Sequence, residues 1–513
     1  MLFNSYPFLF VFLPLTLLGF FLLGRASKSL GSAWLALASL VFYGWWDTQY
    51  IPLLLASICI NYWIGGAIAR RAALPPGRRL LIVGVGANLS LLAYYKYANF
   101  FVSSAGALLS ADWPALSIVL PIGISFFTFT QIAFLADAYA GKVKEYRFNY
   151  YVLFVTYFPH LIAGPVLHHK EMMPQFDADQ NYRPQMSNFA TGLTIFTIGL
   201  GKKVLIADSL AVYASPFFNQ PDTPGLLVAW GGALAYTFQL YFDFSGYSDM
   251  AIGLSRLFGV QLPLNFNSPY KARNIAEFWR RWHMTLSRFL RDYLYIPLGG
   301  NRHGSLRRHI NLMLTMVLGG LWHGAGWNFV IWGGLHGAYL VVHQAWSGFA
   351  GQTKTRRLPW LGLVMGQALT FVCAVFAWVY FRATDLATAN QIILGMLGFN
   401  GTAIPDAVMA GLGPLRRILH QLGVTTFLGG GGIFFATWAW VIAAAVLAFC
   451  FPNTQEIVGY AESQLVSPKL GHAIKPAGLA WRPSRRHALV IGLALALGIL
   501  SLSRPTEFLY FQF

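Results

Sequence analysis

Long apolar segments separated by short charged loops recur along the whole 513-residue chain, and they restrict the folds it can adopt. About 17–25 apolar residues are enough to cross a bilayer as a helix. Hydrophobic residues make up 56% of the chain and charged residues 11%, which is typical of a polytopic membrane protein. We predict apolar spans near residues 6–24, 31–46, 51–69, 80–101, 116–140, 189–207, 226–258, 310–346, 360–382, 431–451 and 488–502.

These spans predict one all-α integral-membrane domain over residues 1–513, with about ten to twelve membrane helices. The first span lacks the basic n-region and the cleavage site of a signal peptide, so we expect it to be retained. The three cysteines are scattered and the histidines lack ligand spacing, so no metal is expected. The acidic residues within or beside apolar runs are expected to be buried hydrogen-bond anchors; they are Asp137, Asp243 and Asp249.

Basic residues fall in alternate loops, which predicts an orientation. The stretch 271–309 carries nine Lys or Arg against two acidic residues, whereas 47–50 and 103–115 carry no Lys or Arg. By the positive-inside rule, 271–309 is cytoplasmic and both termini are periplasmic, in a bacterial inner membrane. The net charge of +18 is thereby assigned to one membrane face and its anionic lipids, and no nucleic-acid partner is expected.

Two apolar segments are each flanked on both sides by basic loops, which the positive-inside rule assigns to the same membrane face. Neither segment can therefore cross the membrane once as a single helix. Residues 150–167 contain Pro159 and Pro165, as expected for a re-entrant element whose irregular backbone is shielded by protein. Residues 310–346 are predicted to form a hairpin with a short first arm. Its apex would place His323 within the membrane or at the bottom of a funnel.

His323 lies in a run without charged residues from Ile310 to His343. Gly319 and Gly320, one turn earlier, leave room beside the imidazole or let another helix approach closely. An ionisable group at membrane depth is by default a functional hypothesis. The alternative is a neutral buried histidine hydrogen-bonded to a carbonyl group.

His283 lies on a basic, aromatic segment. Asn274 and Glu277 form a capping-box-like pair, and apolar residues then recur at spacings of three and four as far as Leu294. This pattern predicts an interfacial amphipathic helix carrying His283. The alternative for its arginines is a solvated basic face on lipid headgroups.

Three motif runs, at residues 238–249, 278–302 and 320–324, resemble the membrane-bound O-acyltransferase (MBOAT) family, and most of all its bacterial alginate-acetylating branch. The resemblance implies a ring of membrane helices with re-entrant segments and a central tunnel. It implies a catalytic core over about 226–346, with His323 as the catalytic residue and His283 as its companion.

On this resemblance, acetyl-CoA donates the acetyl group from the cytoplasm and no cofactor is bound permanently. His323 would be the general base, and His283 would orient or polarise the thioester carbonyl. The acceptor would be an extracytoplasmic polysaccharide, reached through a periplasmic hydrolase-fold acetyltransferase. The residues predicted to bind the donor are Trp279, Arg280, Arg281, Trp282 and Arg288.

Alternatives remain open at this stage. Within the enzyme class they are a peptidoglycan O-acetyltransferase and a D-alanyl transferase that uses a carrier protein. Outside it, re-entrant segments also fit a glycan transporter, although no internal repeat supports one.

The C-terminal pattern Phe508-x-Tyr510-x-x-Phe513 resembles the terminal motif of envelope acyl-transfer systems. That resemblance implies an acyl relay over 508–513, in which the Tyr510 hydroxyl carries the acyl group. The alternative is an aromatic anchor at the outer membrane interface.

Overall fold

The computed structural model describes residues 1–72, 74–143, 147–219, 223–350, 359–459, 481–503 and 509, and these are mostly helical. The α-helices are α1 Leu13–Ala26, α2 Lys28–Gly44, α3 Ile51–Ala69, α4 Pro75–Leu92, α5 Ala98–Leu109, α6 Ile124–Tyr139, α7 Phe148–Thr156, α8 Phe158–Leu161, α9 His169–Asp177, α10 Met186–Gly201, α11 Asp208–Asn219, α12 Leu226–Leu257, α13 Ile275–Trp279, α14 Met284–Leu290, α15 Gly304–His323, α16 Trp327–Ala350, α17 Pro359–Arg382, α18 Leu386–Met396, α19 Asp406–Gly411, α20 Leu415–Gln421, α21 Gly431–Cys450, α22 Thr454–Val458 and α23 Arg485–Leu500.

Shorter elements complete the fold. Strand β1 (Ala403–Pro405) pairs in parallel with β2 (Thr425–Phe427). The π-helical turns are Phe8–Phe12, Ala93–Tyr97, Lys202–Ala207 and Arg291–Tyr295; the 3-10 turns are Thr48–Tyr50, Asp179–Tyr182, Pro269–Lys271 and Ser501–Ser503.

The prediction of an all-α polytopic membrane protein is confirmed. In the described part of the chain, six helical stretches are long and apolar enough to cross a membrane. They are Phe8–Ala26, Thr48–Ala69, Pro75–Leu109, Leu361–Arg382, Gly431–Cys450 and Arg485–Ser503. The span predicted from residue 116 becomes helical only at Ile124.

The long helix α12 forms the centre of the fold and is buried along most of its length. Helix α10 packs along it through reciprocal glycine contacts. A Cβ atom added to Gly192 would lie 2.7 Å from the carbonyl oxygen of Gly253, and one added to Gly199 would lie 2.6 Å from that of Gly246. The two helices approach this closely because neither carries a side chain at the contact.

The predicted hairpin is confirmed: α15 and α16 pack together and are joined by residues 324–326. The expectation of a short first arm is wrong, because α15 is a full 20 residues long. A Cβ atom on Gly320 would overlap the carbonyl oxygen of Phe329, and one on Gly333 would overlap that of Met316. These glycines therefore bring two helices together.

The broken backbone predicted over 150–167 is confirmed as well. Helix α7 ends at Thr156, the four-residue α8 follows, and the chain then runs without helix to His168, buried throughout. The backbone N–H of Val166 donates to Thr285 Oγ1 at 2.9 Å. Protein groups thus satisfy polar backbone atoms that lipid could not.

The interfacial amphipathic helix predicted around His283 is wrong. The segment breaks into α13 and α14, and His283 between them has a left-handed backbone with φ of 42°. A left-handed residue cannot continue a right-handed helix. Consequently Phe278 and Trp282 are buried in protein and do not lie on lipid. Asn274 caps the first helix as predicted, accepting a hydrogen bond from the Glu277 N–H.

The three acidic residues predicted as buried anchors do anchor neighbouring elements. The Tyr293 hydroxyl donates to Asp137 at 3.0 Å. Lys202 Nζ and Thr454 Oγ1 both donate to Asp249 at 2.6 Å. Asp243 forms an ion pair with Lys203, at 2.8 Å.

Candidate active site

His323 is the last residue of α15 and is buried among aromatic rings. The ring centroids of Trp322, Trp332 and Phe381 lie 4.9, 5.2 and 5.2 Å from that of the imidazole. The ring of His283 lies 6.4 Å away. The fold therefore brings together the two histidines that the sequence selected.

Two cavities meet at His323. The larger cavity, of about 170 Å³, is also lined by Trp46, Lys96, Leu120, Pro121, Ile122, Gly123, Ile124, Ser125, Phe126, Ile162 and Trp322. The smaller cavity, of about 20 Å³, is also lined by Leu240, Asp243, Phe244, Trp282, Trp378, Phe381 and Leu509. The imidazole therefore lies in the walls of both cavities.

His283 is fully buried, and a compact polar network holds it. Its Nδ1 atom lies 3.0 Å from Asn265 Oδ1. The next backbone N–H, that of Met284, donates to the Asn265 carbonyl oxygen at 2.9 Å. Phe244 stacks edge-on against the imidazole at 4.8 Å between centroids. The side chain is thus fixed by one asparagine and one aromatic ring.

Lys96 is a site residue that the sequence reasoning missed. Its ammonium group donates to the carbonyl oxygens of Trp322 and His323, at 2.7 and 3.0 Å. Tyr97 donates its hydroxyl to the carbonyl oxygen of Leu321 at 2.7 Å. Helix C-termini leave carbonyl groups unpaired, so these contacts cap the turn that carries His323. A lysine inside a predicted span was the available signal.

Of the two tryptophans predicted to bind the donor, Trp282 shares a cavity with His323 and Trp279 packs one ring further away, against Trp332. Trp282 lines the smaller cavity beside His323. The ring of Trp279 lies 5.8 Å from that of Trp332 and 5.1 Å from that of His336. Both residues belong to the aromatic wall of the site.

Two of the three predicted donor-binding arginines form ion pairs with carboxylates of the protein. Arg288 makes a bidentate ion pair with Glu171, at 2.7 and 2.8 Å. Arg281 binds Glu277 at 2.8 Å. Arg280 is exposed to solvent or lipid headgroups. Of the three, Arg280 is therefore best placed to meet a phosphate from outside the protein.

The C-terminal motif lies largely outside the described residues, and Tyr510 is among those not described. Leu509 is described and is only 2% exposed. It lines the smaller cavity together with His323.

Within the described residues, no group of three or more His, Cys, Asp or Glu side chains could hold a metal ion.

His323 is thus a buried imidazole in the walls of two cavities within a helical membrane protein. Residues 85–383 match the membrane-bound O-acyltransferase family, and the chain belongs to it. It is therefore an O-acyltransferase, and the transporter alternative is set aside.

Curated relatives support this assignment. The chain is 42% identical to the peptidoglycan O-acetyltransferase of Helicobacter pylori, over 89% of this chain and 90% of that protein. It is 40% identical to the probable alginate O-acetylase AlgI of Pseudomonas putida over the full length of both. The teichoic acid D-alanyltransferase of Bacillus subtilis is 28% identical, over 49% of this chain and 71% of that protein.

Replacing Lys96 by Met should lower acyl transfer roughly 10- to 100-fold, in the range found when a group orienting a functional histidine is removed. The uncapped end of α15 would no longer hold the imidazole between the cavities. Acyl transfer in membranes, normalised to the amount of inserted protein, measures the effect. Lys170→Met, at an exposed lysine, is the matched control; equal activity of the two variants would contradict the capping role.

Proposed function

We propose that this enzyme takes an acetyl group from cytoplasmic acetyl-CoA and passes it across the inner membrane to an alginate-like exopolysaccharide. The observation that carries the proposal is the position of His323 in the walls of two cavities. The smaller is bordered by Trp282, from the basic segment, and by Leu509, from the C-terminal tail. The relatives that act on alginate and peptidoglycan support an extracytoplasmic polymer as the acceptor.

In the proposed reaction His323 is the general base. The neutral imidazole takes the proton of the acceptor hydroxyl, whose oxygen attacks the thioester carbonyl carbon. The new C–O bond forms as the C–S bond breaks, and the CoA thiolate leaves and recovers the proton. Aromatic rings around His323 exclude water, which would otherwise hydrolyse the thioester.

The first acceptor in this proposal is the Tyr510 hydroxyl. Leu509 is buried and lines the smaller cavity that His323 also lines, which supports a path of the C-terminal tail close to His323. Attack by the phenol oxygen produces an aryl ester and free CoA. A phenol leaves more readily than a sugar alcohol, so a second hydroxyl can take the acetyl group and regenerate Tyr510. A periplasmic hydrolase-fold acetyltransferase is the proposed partner for that second step.

Peptidoglycan is a second candidate acceptor, because the relative named for it is 42% identical to this chain. Both polymers present sugar hydroxyls, and the site geometry around His323 does not distinguish them. Deleting the gene and measuring ester-linked acetate in each purified polymer separates the two: the true acceptor loses its acetate.

A carrier-protein thioester donor, as for D-alanyl transfer, would be revealed by activity that does not depend on acetyl-CoA.

Replacing His323 by Ala should abolish acetyl transfer, a loss of about 10²-fold or more for a general base. The fold should persist, because the larger cavity already leaves space on one side of the imidazole. Polymer-bound acetate and the amount of membrane-inserted protein are measured together. Wild-type acetylation at normal abundance would contradict the proposed role of His323.

Cysteine labelling tests the proposed side of donor entry. A cysteine at the exposed position Ser305, in a variant with Cys59, Cys373 and Cys450 replaced, should react with an impermeant maleimide only in inside-out vesicles. The excess of basic residues at 271–309 is the reason. A cysteine at Ser110 of the opposite loop should react only from the periplasm. The reverse labelling pattern would mean that the donor binds from the periplasmic face.

Replacing Tyr510 by Phe removes one oxygen and keeps the aromatic ring. If the Tyr510 hydroxyl carries the acetyl group, polymer acetylation by this variant should fall to background, although His323 and its surroundings are unchanged. Tyr6→Phe, at an exposed tyrosine, is the control for loss of a phenol. Full acetylation by Tyr510→Phe would show that the acetyl group passes directly from the thioester to the next acceptor.

A further inference from the structure

We propose that Asn265 is a positioning residue that fixes the tautomer of His283, with the proton on Nδ1 and the lone pair on Nε2. This inference rests on the proposed participation of His283 in acyl transfer. It concerns the chemical form in which that imidazole meets the reactants. Asn265 is fully buried and lies in the non-helical stretch between α12 and α13.

The backbone N–H of Thr285 is the contact that identifies which amide atom faces the imidazole, because a hydroxyl can either donate or accept. The Val166 N–H donates to Thr285 Oγ1 at 2.9 Å, so the Thr285 hydroxyl hydrogen is free to point elsewhere. It donates to Asn265 Oδ1 at 2.8 Å. The Thr285 backbone N–H, which can only donate, approaches the same atom at 3.4 Å. Asn265 therefore presents its oxygen.

The same oxygen lies 3.0 Å from His283 Nδ1. An amide oxygen only accepts, so Nδ1 must carry a proton. In a neutral imidazole the other nitrogen, Nε2, is then an acceptor. Nε2 is buried and has no hydrogen-bond partner among the described residues.

The backbone at His283 is held by the same asparagine. His283 adopts φ of 42°, a conformation that is uncommon for residues other than glycine. The Asn265 backbone holds this turn through the Met284 N–H, and its side chain holds the imidazole. One residue thus fixes both the main chain and the ring of His283.

The chemical role of His283 follows from this tautomer. With a lone pair on Nε2, the ring accepts a hydrogen bond or a proton from a hydroxyl or from a neighbouring imidazole N–H. It is not a donor that polarises the thioester carbonyl, the role that the resemblance implied. The two rings, with centroids 6.4 Å apart, can then share one proton pathway.

Three variants and one control test the inference in the full-length protein in membranes. Asn265→Asp keeps an acceptor oxygen, and Asn265→Leu removes it at similar volume. His283→Asn removes the imidazole at a position where asparagine tolerates a left-handed backbone. The control is Asn267→Leu, which removes an amide in the same stretch that binds Asn453 instead of His283.

We expect Asn265→Leu to lower kcat roughly 10- to 100-fold with unchanged KM for acetyl-CoA, while Asn265→Asp retains most of the activity. Histidine 15N NMR should show a protonated Nδ1 at His283, identified by the signal lost in His283→Asn. This pattern should be disturbed in Asn265→Leu and preserved in Asn267→Leu.

The outcomes separate the two proposals. Wild-type activity of His283→Asn would overturn the participation of His283 itself. If His283→Asn is inactive but Asn265→Leu has the same activity and the same 15N spectrum as the control Asn267→Leu, only the proposed role of Asn265 is overturned. A protonated Nε2 in the wild-type spectrum would also overturn it.

Discussion

Backbone polar groups that leave helical geometry inside an apolar environment need partners within the protein, and this requirement organises the site. The end of α15 is satisfied by Lys96 and Tyr97. The non-helical backbone at Val166 is satisfied by Thr285. These hydrogen bonds lie close to the two histidines. In an apolar environment the chain can leave helical geometry only where side chains supply the missing hydrogen bonds. His283 and His323 therefore lie at helix ends, where side chains supply the missing hydrogen bonds.

Close helix packing provides the rigid frame for these breaks. Glycine contacts hold α10 against α12 and α15 against α16. Packed backbones leave little freedom for the aromatic rings that enclose His323. Fixed groups in such an enclosure strengthen electrostatic interactions with charge that develops during acyl transfer. The two cavities lined by His323 are gaps in this packing.

Much of this arrangement could be predicted from the sequence, and the failures have physical causes. Apolar length predicted the six candidate spans of the described chain. Loop charge predicted the hairpin whose turn follows His323. Both patterns depend on neighbouring residues. The amphipathic period around His283 predicted one continuous helix, yet the left-handed turn there depends on Asn265, 18 residues earlier. Lys96 lies 227 positions from the carbonyl it caps, and no local pattern encodes such a contact.

The sequence by itself determined a mostly helical membrane protein, the broken segment over residues 150–167 and the two histidines, because composition and spacing report how each segment meets lipid. The tertiary structure decided which side chains surround those histidines. It selected Asn265 as the partner of His283, and it paired Arg288 with Glu171. These choices depend on distances between segments far apart in the chain, where the directional geometry of hydrogen bonds fixes the state of each group.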